Sequence, residues 1–215
     1  VVKSFDIEQS FNLNLIIGII IAILVSSVIF GGLSRIAEVA SKIVPFMVMV
    51  YLLSGLFIVL SNASSIPAIF SNIFTSAFNG SSVAGGFAGT AIVISQGFRR
   101  AAFSNEAGMG TEVMAIGASK NNQPIKSGLV AMIGPLIDTI IVCTITGLVI
   151  LLSNEWIEGT YSGVSLTQKS FSNYLGLAGD YILIFSVATF TLSTMFGYSY
   201  YCLLYTSDAA DEAIG

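Results

Sequence analysis

Asp138 is the residue in this sequence that is best placed to do chemistry inside a membrane. It is the one charged side chain in the run from 127 to 153, which is otherwise uncharged and mostly apolar. A charge at the centre of a bilayer costs at least about 2.5–3.5 kcal/mol on insertion scales, so this carboxylate must face protein or water. Two interpretations stay open: a coupling or gating role, and a structural carboxylate that is hydrogen-bonded to Thr139 or to another helix.

A pair of hydroxyl residues, Ser193 and Thr194, lies inside the last long apolar run, 181–201. Hydroxyl and carbonyl oxygens are hard ligands that suit a small monovalent cation. A serine or threonine inside a membrane helix more often donates to the carbonyl four residues before it. From the residues alone, the local hydrogen bond is therefore the favoured interpretation.

Glycines crowd the start of a third apolar run, 83–98, at Gly85, Gly86 and Gly89, and Thr90 adds a hydroxyl. Glycine has no Cβ, so it permits a break in a helix and a close approach of a ligand to backbone N–H and C=O groups. The same glycines could instead form a packing face for a neighbouring helix. Spacing alone leaves both interpretations open, and the short run predicts a span that is not one continuous helix.

A polar segment, Ser104 to Glu106, follows this third run. Ser104 can cap a short helix that has Glu106 in its first turn. One interpretation is an inner gate, in which Arg99 or Arg100 pairs with Glu106 or Glu112. The other is a plain capped helix at the surface.

The chain that must position these residues has the composition of a membrane protein. It has 215 residues, of which 54% are apolar and only 9% charged, and its mean hydropathy is +0.87. Soluble domains carry about 25% charge. Charged residues are missing from 9–34 and from 43–98 altogether. Such runs predict bilayer spans and exclude an ordinary soluble enzyme.

The residue inventory also excludes several other classes of protein. There is no histidine, and the two cysteines lack the spacing of a zinc, iron–sulfur or haem site. The eight basic residues are too few and too dispersed to follow a nucleic-acid backbone. A membrane-embedded enzyme would need a nucleophile with its base, or a metal set, and none is convincing. We therefore expect no enzyme, no metal cofactor and no nucleic-acid partner.

Five segments are apolar enough to cross, or nearly cross, a bilayer. A further segment, 65–78, has mixed polarity and Pro67 near its start, which predicts an amphipathic helix outside the hydrocarbon core. The predicted spans are 13–33, 43–60, 83–98, 127–152 and 181–201.

The basic residues predict how these spans are oriented. Six of the eight fall in two loops, 34–42 and 99–126: Arg35, Lys42, Arg99, Arg100, Lys120 and Lys126. By the positive-inside rule both loops are cytoplasmic, and the loops at 61–82 and 153–180 are external. The charge alternation agrees with five crossings.

The segment from Gly97 to Ser153 resembles the signature region of the alanine/glycine:cation symporter family, also called sodium:alanine symporters. Its block SNEAGMG, residues 104–110, is a specific match. Further matches in the family's order and spacing extend the resemblance over residues 11–201. They are Gly31-Gly32 with Arg35, Val44 to Met47, Ala77-Phe78, Gly85 to Gly89, and Leu192 to Tyr201.

This resemblance implies a fold and a function. The fold is an all-α integral membrane protein, part of a five-plus-five inverted-repeat transporter of the leucine-transporter type, in which this chain holds the fourth to eighth helices. The function is sodium-coupled symport of a small neutral amino acid, alanine or glycine, into the cell by alternating access. The implied partners are that amino acid, Na+ as the coupling ion and the lipid bilayer of the plasma membrane.

The resemblance also assigns roles to residues. Gly85, Gly86, Phe87, Gly89 and Thr90 would bind substrate near the midplane, and Ser193 and Thr194 would bind sodium. Asp138, Glu106, Arg99 and Arg100 remain candidates for coupling or gating. The alternatives are a proton-coupled amino-acid transporter and a structural membrane subunit, although an interrupted helix and an intramembrane acid argue against the second.

The two ends of the sequence carry separate expectations. No basic segment with a cleavage site precedes the first apolar run, so we expect Val1 to lie inside a longer protein. Cys202 to Glu212 reads CLLYTSDAADE, which resembles a sequencing adapter translated in frame. We expect residues 1–201 to form a single transmembrane transporter domain and residues 202–215 to be foreign sequence.

Overall fold

A computed structural model describes residues 11–78, 86–105, 110–117, 123–157 and 159–214. Every regular element within these ranges is helical. In chain order they are α1 (Phe11–Ile29), α2 (Gly32–Ser61), a 3-10 turn (Ala63–Ser65), α3 (Ile66–Phe78), α4 (Gly86–Asn105), α5 (Thr111–Gly117), α6 (Pro124–Pro135), a π-helical segment (Leu136–Val142), α7 (Cys143–Ser153), α8 (Val164–Leu175) and α9 (Leu177–Ile214).

Four helical stretches in the described ranges are long and apolar enough to cross a membrane. Twenty residues of α-helix cover about 30 Å, the thickness of the hydrocarbon core. The prediction of an all-helical, multi-pass membrane protein is thereby confirmed. The four stretches are Phe11–Ile29, Gly32–Ser61, Pro124–Ser153 and Leu177–Thr206.

The third predicted span, 83–98, lies largely in α4, which is not one of these four stretches. The helix is long enough, at 20 residues, but its sequence includes Gln96, Arg99 and Arg100. The structure describes residues 86–98 of this span, and they are helical without a break, so the prediction of an interrupted helix is wrong there. A glycine inside a helix costs about 1 kcal/mol relative to alanine, which is less than leaving backbone groups unsatisfied in an apolar setting.

The predicted cytoplasmic loop at 34–42 is also helical, which corrects the sequence-based boundary. α2 begins at Gly32, so that Phe30 and Gly31 alone connect it to α1. The first turns of α2 are charged, and Lys42 Nζ lies 2.7 Å from Glu38 Oε1 one turn earlier. Hydropathy indicates where a helix leaves the lipid but not where the helix itself ends. A helix that is stabilised by such i,i+4 pairs continues into water.

Ser104 does not begin a new helix, because α4 continues through it to Asn105. The segment Arg99 to Ala102 contains strong helix formers, so the chain has no local reason to stop earlier. The predicted amphipathic helix at 65–78 is confirmed as α3. With 13 residues, α3 is about 20 Å long and too short to span the core.

The described residues fall into two compact units, and the first comprises residues 11–54 and 175–214. In it α1 packs against α9. A cluster of buried side chains, Val25, Val28, Ile36 and Phe196, holds α1, α2 and α9 together. Two edge-to-face aromatic pairs join α2 to α9 further along. Their ring centroids lie 6.1 Å apart for Phe46 and Phe185 and 6.3 Å apart for Tyr51 and Phe190.

The second unit comprises the described residues between 55 and 174. Here α3 packs against α7, and α4 packs against the π-helical segment. Gly55 brings α2 close to α7, because a Cβ built on it would lie only 2.6 Å from Ile145 Cγ2. Phe171 of α8 is completely buried beside this contact.

Polar groups tie the end of α7 to α8. Asn154 ends α7 in the left-handed region, with φ of 58°. The hydroxyls of Ser153 and Ser170 lie 2.8 Å apart, and the Tyr174 hydroxyl donates to the Leu152 carbonyl at 2.8 Å. Burial raises the pKa of Tyr174, so this hydroxyl keeps its proton and remains a donor.

Candidate functional site

Ser193 and Thr194 lie in the interior of α9, and both hydroxyls donate to the same acceptor. Ser193 Oγ and Thr194 Oγ1 are each 2.9 Å from the carbonyl oxygen of Phe190. This is the local hydrogen bonding that the residues alone favour. A hydroxyl that donates its proton still presents lone pairs on its oxygen. The two oxygens are therefore held side by side with their acceptor capacity available.

Asp138 lies in the π-helical segment, three residues after Pro135, and a proline inside a helix predicts a kink. The backbone N–H of Cys143 donates to the Asp138 carbonyl five residues earlier, which is the π-helical hydrogen bond. The Asp138 residue is half-buried. Proline favours such a distortion because it lacks a backbone N–H and its ring crowds the carbonyl four residues before it. The kink that Pro135 predicts thus takes the form of a widened helical turn around the intramembrane acid.

The predicted substrate residues begin α4, with Gly86, Phe87, Gly89 and Thr90 in its first turns. Gly85 lies outside the described residues. Since α4 packs against the π-helical segment, the structure brings the helix that carries these residues to the segment that carries Asp138. The sequence alone does not relate these two features to each other. Pro135 predicts a distortion of its own helix, but it does not predict that α4 packs against that distortion.

The predicted gate is described only in part. Arg99 and Arg100 are exposed near the end of α4. Glu106 lies outside the described residues, and Glu112 belongs to the short helix α5. The pairing of these arginines with either glutamate stays a prediction.

A small cavity that the sequence does not predict lies between α3 and the end of α7. Its volume is about 200 Å³, and Asn72, Ser76 and Asn154 line it together with Trp156 and apolar side chains. Among the residues that the structure describes, no three His, Cys, Asp or Glu side chains are grouped closely enough to hold a metal ion.

A comparison with known families matches nearly the whole chain. The model of the sodium:alanine symporter family covers residues 1–207. The match extends past Tyr201, into the part of the chain where we expect foreign sequence.

Curated relatives give the same picture. An uncharacterized transporter of Bacillus subtilis, YflA, is 41% identical over 89% of this chain and 42% of its own length. The sodium/alanine symporter AgcS of Methanococcus maripaludis is 42% identical over 87% of this chain and 41% of its own length. The probable sodium/glutamine symporter GlnT of Bacillus subtilis is 35% identical over 92% of this chain and 41% of its own length.

The chain thus spans less than half the length of these relatives. The family match, together with the helices that are long and apolar enough to cross a membrane, decides what kind of protein this is. The chain belongs to the sodium:alanine symporter family, a family of membrane transporters.

Proposed function

We propose that this protein performs sodium-coupled symport of a small neutral amino acid, alanine or glycine, into the cell. It works by alternating access and has no enzymatic activity. The observation that carries this proposal is the family match over residues 1–207. The sodium/alanine symporter AgcS, at 42% identity, supports the choice of alanine and sodium. One relative is named as a probable sodium/glutamine symporter, so uptake assays must also include glutamine.

The proposed fold is the five-plus-five inverted repeat, of which this chain supplies five crossings. Four crossings correspond to the apolar stretches described above. The fifth is α4, whose polar residues Gln96, Arg99 and Arg100 lie toward its C-terminal end, where a span would meet the cytoplasm. In transporters of this kind, substrate and ions bind near the midplane between repeats. Because α4 carries polar residues, it is better suited to a position between the repeats than to a position that faces the lipid.

Single cysteines test whether α4 crosses. The parent is a full-length transporter containing residues 1–201 of this sequence, with its cysteines, Cys143 among them, replaced by serine. Cysteines at Ser64 and Ser162 are expected to react from outside intact cells with a membrane-impermeant maleimide, and a cysteine at Gln123 only after permeabilisation. If α4 does not cross, Ser64 and Gln123 lie on the same side and label alike. That result would contradict the five-span arrangement.

The proposed sodium site contains Ser193 and Thr194. Their oxygens are neighbours on α9, anchored by donation to one carbonyl, so they can act as a pair of neutral ligands. Neutral oxygen ligands suit a monovalent cation, for which several full charges would be unnecessary.

Thr194→Ala in the full-length transporter tests this site by an alanine-uptake assay across a sodium titration. Losing one neutral ligand oxygen is expected to raise the half-saturating sodium concentration about 5- to 10-fold, by analogy with the loss of one hydrogen bond. Very high sodium should restore part of the uptake. Alanine affinity at low sodium should fall with it, because coupling between two bound ligands is reciprocal in free energy.

Thr191→Ala is the matched control for this experiment. Thr191 lies one turn earlier on α9, and its hydroxyl makes the same local bond, to the Val187 carbonyl at 2.8 Å. Its loss is expected to leave the sodium dependence unchanged. An equal shift in both variants, or no shift in Thr194→Ala, would remove Thr194 from the sodium site. Uptake driven equally well by a pH gradient without sodium would favour the proton-coupled alternative, and a full-length protein with no uptake of any amino acid would favour a structural subunit.

A further inference from the structure

The π-helical segment lies at the centre of a candidate span. The span Pro124–Ser153 has 30 residues, and Asp138 is its fifteenth. At a rise of about 1.5 Å per residue, the acid lies roughly 21 Å from the start of the helix, close to the middle of a bilayer. Ionisable residues at that depth are rare, and they mark substrate and ion pathways.

The backbone around Asp138 is unusual as well. π-Helix makes up well under 1% of residues in proteins, and its short insertions occur frequently at functional sites. Here seven residues, Leu136–Val142, adopt it, and Asp138 is one of them. The rare charge and the rare backbone therefore coincide in the same turn of the same span.

The helix that packs against this turn is α4. The basic residues indicate how deep each residue of the two helices lies in the membrane. Lys126 and the pair Arg99 and Arg100 belong to the same predicted cytoplasmic side, so depth can be counted from them. Asp138 comes twelve residues after Lys126, and twelve residues before Arg99 and Arg100 the chain reaches Phe87 and Ala88. The helices run in opposite directions through the membrane in the proposed topology, so Asp138 is level with the first turns of α4.

We propose that Asp138 is a further substrate-binding residue, whose carboxylate pairs with the α-ammonium group of the amino acid at the level of Gly86 to Gly89. This inference rests on the proposed function. A small neutral amino acid is a zwitterion, and near the midplane its ammonium group must be matched by an acceptor of opposite or partial negative charge. Of the acidic residues in the four candidate spans, Asp138 is the one that lies far from both ends of its span. A charge-assisted hydrogen bond to it would be stronger than one to a neutral carbonyl.

The test compares L-alanine with L-lactate, in which a hydroxyl replaces the ammonium group. Affinities are measured by ligand-dependent thermal stabilisation of the purified full-length transporter in saturating sodium. Asp138→Asn keeps the shape of the side chain and removes its charge. It is expected to weaken alanine binding about 10- to 100-fold and to leave lactate binding unchanged or tighter. The preference of the wild type for alanine over lactate should fall at least 10-fold.

Asp180→Asn is the matched control. Asp180 is also half-buried, but it lies in the first turn of α9, at the predicted external end. Its neutralisation should leave the preference for alanine unchanged. A preference that is equally unchanged in Asp138→Asn would overturn the inference. A raised half-saturating sodium concentration with the preference intact would also overturn it, and would assign Asp138 to the coupling ion instead.

Two further measurements keep the inference separate from the proposed function. If the wild-type transporter shows no sodium-dependent alanine binding, the proposed function itself fails. If Asp138→Asn is not a stable protein, Asp138→Glu retains the charge but moves it by one methylene. A preference for alanine reduced about threefold or more in that variant supports the ammonium contact, and an unchanged preference contradicts it.

Discussion

Replacing Gly86 with leucine is expected to abolish amino-acid uptake by the full-length transporter. Gly86 begins α4, and the proposal places the substrate against the backbone of its first turns. A leucine adds four heavy atoms where the ligand must approach, and it forbids close contact with backbone N–H and C=O groups. We expect sodium-driven alanine uptake to fall more than about 100-fold, while membrane insertion and expression remain normal. Uptake and surface expression are measured in the same cells.

Gly97→Leu is the control on the same helix. Among the residues that the structure describes, no atom lies within 4 Å of a Cβ added at Gly97. Gly97 lies eleven residues after Gly86 in α4, well away from the proposed substrate position, so uptake by this variant is expected to stay within about threefold of the wild type. If Gly86 serves helix packing instead, Gly86→Leu should yield a poorly assembled protein. Uptake at wild-type affinity in Gly86→Leu would contradict both interpretations of the glycine.

The largest expected effect on stability comes from Phe171→Ala. Phe171 lies in α8 with no exposed surface, and its ring tip packs near Gly55, where α2 approaches α7. Removing the ring leaves a cavity that the surrounding helices fill only partly. The expected loss is about 3–5 kcal/mol in the free energy of unfolding, measured by denaturant titration of the purified full-length protein.

Two other substitutions calibrate that loss. Phe171→Leu keeps most of the apolar volume and is expected to cost less than about 1.5 kcal/mol. Leu177→Ala, at a side chain that is 77% exposed, should cost within about 0.5 kcal/mol. Equal losses for Phe171→Ala and Leu177→Ala would show that the contacts of α8 in the second unit do not form in the full-length protein.

Much of the architecture could be predicted because hydropathy is a local property of the chain. The runs at 13–33, 43–60, 127–152 and 181–201 each coincide with a candidate span of the structure. A helix must satisfy its own backbone groups in lipid, so a long apolar run has few alternatives to a helix.

The boundaries and continuity of the helices were harder to predict. The charged segment at 34–42 is helical because ion pairs such as Lys42 with Glu38 stabilise a helix in water as well. Residues 86–98 stay helical in spite of Gly86 and Gly89, because each glycine lowers stability by less than a lost backbone hydrogen bond would in lipid. In both places a local signal for a break competes with the cooperativity of a long helix.

Part of the candidate site could be predicted from the sequence, and part could not. The residue types identify Asp138, Ser193 and Thr194 as candidates, because a charge or a hydroxyl pair inside an apolar run is visible in the sequence. Their local geometry is not visible there. The π-helical bond from Cys143 to Asp138 and the shared acceptor of Ser193 and Thr194 come from the structure.

By itself, then, the sequence determines that this is a membrane protein, where most of its spans lie and which of its polar residues lie within them. Each of these depends on residues that are neighbours in the chain. Only the tertiary structure decides that α4 packs on the segment of Asp138, that Gly55 contacts Ile145 and that Ser153 reaches Ser170. These partners are far apart in the chain, and apolar helix faces that all resemble one another carry too little information to select them, because packing depends on shape and not on hydropathy.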